Sequence, residues 1–175
     1  MLSIIIDADG PPLALSATLS PLVRGVVEGI VGSAMLVVPK ETDELTTIAD
    51  AAGCRLLASS TFGEGFARAI TYTNGSGVLV LSAGVQVGPE FWPVLADQLP
   101  VIGQVPAVTQ LIKASIFQRI SGFRGQVSRD QALLLPPALA REIGLEKADP
   151  FTRRYGNALI TLPAQARRIA LSPRL

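Results

Sequence analysis

Four short apolar runs, Leu2–Ile6, Ala34–Pro39, Arg55–Ala58 and Gly77–Leu81, punctuate the first half of the chain, and a stretch with helix signals separates each from the next. Runs this short and this continuous read as strands buried on both faces. The intervening helices fall at Pro11–Gly29, from Thr42 to a cap at Gly53, and at Glu64–Thr73. Their ends carry local signals: Ser20-Pro21 as an N-cap and first-turn pair inside the first, Asp43 and Glu44 in the first turn of the second, Asn74-Gly75 after the third. A β-α-β-α-β-α-β order requires right-handed crossovers, hence a mostly parallel central sheet flanked by helices. In such sheets ligands bind outside the carboxyl ends of the strands.

The fourth run leads into Ser82-Ala83-Gly84, then Val85-Gln86-Val87-Gly88 and a helix opened by Pro89-Glu90. That turn offers one hydroxyl and no charge. Beyond the helix at Pro89–Gln98 the rhythm changes. Val101–Val105 and Val108–Lys113 read as strands separated by Pro106, and Ser115–Ile120 as a short helix. Asp130–Ile143 reads as a longer helix, kinked or split at Pro136-Pro137, and Ala158–Leu162 as a last strand before an arginine-containing tail. Phe91-Trp92 are expected to pack under the sheet rather than stack on a ligand. With 175 residues, 49% of them hydrophobic and 17% charged, the chain suits a single α/β domain.

Composition removes several chemistries. The chain has no histidine, which excludes Ser-His-Asp and Cys-His catalysis and histidine-ligated zinc. Any general base must then be a carboxylate. The single cysteine, Cys54, allows no internal disulfide and reads as a packing residue in a reducing cytoplasm. Residues 2–6 are too short for a signal peptide, and Pro21, Arg24 and Glu28 break the apolar window Pro12–Pro39, so no transmembrane span is expected. Residues 1–100 carry 4 basic and 10 acidic side chains, and residues 101–175 carry 11 and 4. The basic second half suits phosphates, an acidic partner or the inner face of a membrane; its bland reading is arginines solvating the last helices.

Asp7-Ala8-Asp9-Gly10 after three isoleucines is the obvious acid pair. Two carboxylates one residue apart at a strand end can hold a divalent cation or serve as nucleophile and acid/base. The spacing resembles the nucleophile motif of the haloacid-dehalogenase phosphohydrolases, although no later acidic pair completes the metal site and Pro11-Pro12 departs from the pattern. An acidic loop capping the next helix is the simpler alternative.

A second resemblance spans residues 2–165. Ser3–Ile6, Met35–Val38 with Glu41-Thr42-Asp43, the segment Gly63–Ile70, Val78–Leu81 with its turn and Pro89-Glu90-Phe91, Lys113–Phe123 and Asp130 follow the collinear order of glycosyltransferase family 2. This resemblance implies a nucleotide-diphospho-sugar transferase fold of the GT-A type. It implies a nucleotide-binding half at 1–100, an acceptor and catalytic half at 101–165, and a tail at 166–175. It further implies a nucleotide-sugar donor, an unidentified acceptor and no nucleic-acid partner. Asp130 falls at the family's catalytic base. Asp7, Asp9, Lys40, Arg68, Ser82, Gly84, Lys113, Arg129, Arg153 and Arg154 fall where nucleotide or diphosphate would be bound, and Arg124 adds a further basic side chain.

The departures are specific. Ser82 and Gly84 stand in place of the Asp-x-Asp carboxylates that bind a divalent cation in active members, so a protein-held metal is not expected. Pro39 and Lys40 occupy the place of a nucleotide-recognising aspartate, Arg129 that of a glutamate, and Ser121 that of a glycine. The resemblance thus implies a metal-independent or weakly active transferase, or a relative that keeps the scaffold for binding alone. For Asp130 the plain alternative is a helix N-terminal acid following Ser128.

Overall fold

A computed structural model describes residues 1–102, 105–111, 127–155 and 159–169. Its centre is an eight-stranded sheet in the order β3-β2-β1-β4-β7-β6-β8-β5. The strands are β1 (Leu2–Asp7), β2 (Val31–Val38), β3 (Arg55–Ala58), β4 (Val78–Ser82), β5 (Val85–Val87), β6 (Ala107–Leu111), β7 (Leu133–Leu135) and β8 (Ile160–Arg168). Among the described residues the helices are α1 (Pro12–Leu19), α2 (Leu22–Val27), α3 (Asp43–Ala51), α4 (Phe62–Ile70), α5 (Phe91–Ile102) and α6 (Pro137–Leu145). Strands β1 to β4 are mutually parallel. The short β7 runs antiparallel to both β4 and β6, whereas β6 and β8 are parallel and β5 is antiparallel to β8.

Alternation along β1 divides its side chains between two cores. Leu2, Ile4 and Ile6 join Leu15, Leu22, Leu45, Phe91, Trp92 and Leu95 on the face covered by α1, α2, α3 and α5. Ile5 joins Phe66, Ile70, Ala140, Ile143 and Phe151 on the face covered by α4 and α6. A sheet buried on both faces explains why these strands read as unbroken apolar runs. Phe91 and Trp92 are both fully buried and meet edge to face, and the Trp92 indole N–H donates to the Pro21 carbonyl at 2.9 Å. Thr42 and Thr61 accept from the backbone N–H groups of Leu45 and Glu64, capping α3 and α4. Gly53 ends the α3 turn at a φ of +63°, as its capping role requires.

The structure departs from expectation in four places, three of them in the second half. Val101, expected to open a strand, lies in the last turn of α5, which continues through Ile102. The stretch Asp130–Ile143 is not one helix: residues 128–131 form a turn, Leu133–Leu135 is a strand, and Pro137 is the first residue of α6. Pro136 is extended, at φ −57° and ψ 148°, so the proline pair starts a helix rather than kinking one. The last strand runs to Arg168, not Leu162, and absorbs what read as tail. Finally, Val85–Val87 forms a short strand between the Ser82 turn and α5. The expected helix Ser115–Ile120 and Lys113 lie outside the described residues. No helix among the described residues is long and apolar enough to cross a membrane.

Candidate functional site

The carboxyl ends of β1, β2 and β4 open into a cavity of ≈ 360 Å³. Its walls are Asp7 and Asp9 after β1, Val37 to Pro39 at the end of β2, Ser59 to Phe62 between β3 and α4, Ser82 at the end of β4, and the side chains of Arg129 and Arg168. Register fixes much of this. Asp7 is aligned with Val37 on one side and with Ser82 on the other, which brings three strand ends to one level. The Ala8 N–H donates to the Val37 carbonyl and the Ala83 N–H to the Asp7 carbonyl, so the loops leave the sheet already tied to each other.

Asp7 does not cap α1, whose N-cap is Pro11 without a side-chain hydrogen bond. Its carboxylate instead forms an ion pair with Arg129, whose second amino group pairs with Asp149. The Arg129 guanidinium carbon also lies 5.8 Å from the centre of the Phe62 ring and 5.4 Å from that of Phe151. One arginine thus bolts the end of β1 to the loop before β7 and the loop after α6. This arrangement engages the nucleophile that the phosphohydrolase reading needs. It also commits the Arg129 charge to two carboxylates.

Asp130 does not begin a helix, so it is no helix-terminal acid; it sits in the turn before β7, where its N–H donates to Ser128 Oγ at 3.2 Å. Its carboxylate accepts from Arg168 Nη1 at 3.1 Å. Arg168 is brought there by the β5–β8 pairing. Val85, the residue after the Ser82-Ala83-Gly84 turn, is aligned with Arg168, and the Ile169 N–H donates to the Gly84 carbonyl at 2.9 Å. Arg168 Nη2 donates to the Ala83 carbonyl at 3.3 Å, so its guanidinium lies over the turn.

The remaining expected site residues scatter. Lys40 is exposed just beyond the cavity wall at Pro39, and Gly84 lies within the turn under Arg168. Arg68 donates to the Ala58 carbonyl and lines a separate depression with Tyr72 and Lys147. Arg153 pairs with Glu142 and Glu146 against α6, and Arg154 is exposed. Arg168, Asp149 and Phe62 carry site geometry that sequence reasoning missed. For Arg168 the available signal was the alternation of Leu162, Ala164 and Ala166 leading to it, since these three are buried and the residues between them exposed; Asp149 and Phe62 carried none.

At the β4 turn the donor set does not suit a divalent cation. Ser82 and Gly84 bring no charge to the turn, and no three His, Cys, Asp or Glu side chains among the described residues cluster as a metal-holding group. Gly84 has a φ of +89°, a conformation that any side chain, aspartate included, would adopt only with strain.

No protein-family model matches the chain, and no curated protein matches it either. Solved structures do. Glucosyl-3-phosphoglycerate synthase from Mycobacterium tuberculosis, in complex with Mn2+, uridine diphosphate and glucosyl-3-phosphoglycerate, superposes with a TM-score of 0.67 at 15% identity. That match covers 99% of this chain and 73% of the synthase chain. The same enzyme with Mn2+ and UDP-glucose gives 0.65 at 14% identity over 99% and 72% of the two chains. A mycobacterial protein gives 0.66 at 13% identity over 100% and 68%. The chain therefore has the α/β fold of the GT-A-type nucleotide-sugar transferases.

Proposed function

We propose that this protein binds a nucleoside-diphosphate sugar and transfers the sugar to a hydroxyl acceptor without a protein-held divalent cation. The observation that carries this reading is the cavity at the carboxyl ends of β1, β2 and β4 in a chain with a GT-A-type fold. Acids, hydroxyls and an apolar wall lie along it, with guanidinium groups beside the β4 turn. Solved structures of similar fold hold uridine diphosphate and UDP-glucose, which supports the donor class.

In this reading the nucleoside lies along Val37–Pro39 and Ser59–Thr61, Asp9 accepts from a ribose hydroxyl, and the diphosphate points toward the basic side chains. Lys40 beside the cavity and Lys113 are further candidates for phosphate contact. Asp130 is the general base: it takes the acceptor hydroxyl proton as that oxygen bonds to the anomeric carbon. The bond from that carbon to the diphosphate oxygen breaks, the electron pair leaves with the nucleoside diphosphate, and configuration inverts. A second reading, binding of the donor without transfer, is favoured by the hold that Arg168 has on the Asp130 carboxylate.

The test is turnover of UDP- and GDP-sugars by wild type and Asp130→Asn. The transferase reading predicts donor consumption by wild type and a loss of about 10²–10⁴-fold in the variant, with donor affinity unchanged. Donor binding without consumption by either form selects the second reading. Equal turnover by both forms removes Asp130 from the chemistry.

A further inference from the structure

Resting on the donor-site reading above, we infer that Arg168 and Ser82 together form a resident diphosphate clamp, with the guanidinium supplying the charge that a divalent cation would otherwise bring. The Ser82-Ala83-Gly84 turn cannot hold an anion through its backbone. The Ala83 N–H is engaged by the Asp7 carbonyl, and the Gly84 N–H by the Ala14 carbonyl and Thr18 Oγ1. An anion at this turn must therefore be held by side chains.

Two side chains at the turn are available. Ser82 is buried, lines the cavity, and its hydroxyl has no hydrogen-bond partner among the described residues. Buried hydroxyls are nearly always satisfied, so an orphan in a residue that lines the cavity points to a ligand that the Ser82 side chain turns to meet. Arg168 lies over the same turn, with Nε 3.7 Å from the point a Cβ on Gly84 would occupy. Of its five N–H donors, one reaches Asp130 and one reaches Ala83, so that among the described residues Nε–H and two Nη–H groups are left over. Its side chain is 49% exposed, so it can reorient toward a ligand at small cost.

The other arginine on the cavity does not offer this. Arg129 is divided between Asp7 and Asp149 and fixed by two aromatic rings. A guanidinium also suits the task chemically. It is planar, permanently charged and able to meet a phosphate through two parallel N–H···O bonds. The strand pairing that delivers Arg168 to the turn replaces, in one residue, the carboxylates that Ser82 and Gly84 do not supply.

The experiment is calorimetric titration of the full chain with UDP, GDP and inorganic pyrophosphate, first in EDTA and then with Mn2+. The clamp predicts that pyrophosphate binds in EDTA, and the donor site that at least one nucleotide does. Arg168→Gln weakens both by about 10- to 100-fold, as loss of a charge-assisted contact requires. Arg168→Lys recovers part of the loss, which separates missing charge from a damaged fold, and Ser82→Ala weakens binding by about 3- to 10-fold. Three results overturn the clamp: unchanged binding in Arg168→Gln, tightening by Mn2+ of more than about tenfold, or no binding of pyrophosphate or nucleotide to wild type. The two readings separate cleanly. Nucleotide bound equally well by Arg168→Gln keeps the donor site and removes the clamp. Pyrophosphate bound through Arg168 with no nucleotide bound keeps the clamp and removes the donor.

Discussion

Replacing Arg129 with methionine should be among the most damaging single changes at the site, because it strands two carboxylates at once. Asp7 is 8% exposed and Asp149 19%, while Arg129 itself is 41% exposed. Removing one partner of a fully buried pair costs about 3–5 kcal/mol, whereas an exposed pair is worth about 0–1 kcal/mol. The mixed burial places Arg129→Met between them, at about 2–3 kcal/mol. Methionine keeps apolar contact with Phe62 and Phe151, so the loss reports charge rather than packing. For a domain of this size the midpoint of thermal unfolding should fall by about 5–10 °C. Adding Asp7→Asn removes one stranded charge, so the double variant should be more stable than the sum of the single losses predicts, by about 1–3 kcal/mol of coupling. Urea unfolding of the four species measures this directly. A loss under about 0.5 kcal/mol for Arg129→Met, within the range of ordinary surface changes, would refute the reasoning.

Two further predictions concern stability away from the cavity. Gly25→Ala sets a helix-propensity gain of about 0.5–1 kcal/mol against a steric loss. A Cβ there would lie 2.5 Å from the Trp92 ring, which is buried and anchored to Pro21. The clash should win, with a net loss of about 1–2 kcal/mol and a changed emission from the single tryptophan; a stabilised variant would show that the indole can move aside. Tyr155 donates to the Pro150 carbonyl at 2.6 Å, and burial pushes its hydroxyl well above the ordinary tyrosine value of 10.0. The folded state then holds a proton that the unfolded chain releases, so this contribution is complete below pH 10 and is lost as pH rises beyond it. The alkaline slope of stability should flatten in Tyr155→Phe; an identical slope in both proteins would remove Tyr155 as its source.

Different parts of the chain were legible for different reasons. Strands β1, β4 and the end of β2 are apolar runs because the sheet there is buried on both faces, whereas the edge strand β3 opens on an exposed Arg55 and was legible from Leu56–Ala58 and the turn residues around it. The start of α3 was found from Thr42, whereas α4 begins at Phe62 on a Thr61 cap that read as loop and ends at Ile70, short of the expected Thr73. The second half lacks such redundancy. Leu133–Leu135 is too short to distinguish a strand from a helix by periodicity, and only the extended conformation that Pro137 imposes on Pro136 separates it from α6. In β8 the inward positions include Ala164 and Ala166, weak strand formers beside Pro163, so the strand read as ending at Leu162. That single misreading hid Arg168. The likeness to nucleotide-sugar transferases survived it because the carboxyl ends of β1, β2 and β4, which form most of the cavity, belong to the legible half. The ion pairs of Arg129 could not be read at all, since they join residues 122 and 20 positions apart in sequence.

The most direct measurement is a two-dimensional amide NMR titration of the isotopically labelled 18.4 kDa protein with UDP-glucose and with GDP in EDTA. A donor seated in the cavity should shift the amides of Asp9, Ser59 to Thr61 and Ala83 together, saturably and without added metal. Absence of any shift at millimolar ligand, or shifts confined to residues far from the carboxyl ends of β1, β2 and β4, would contradict a donor site there.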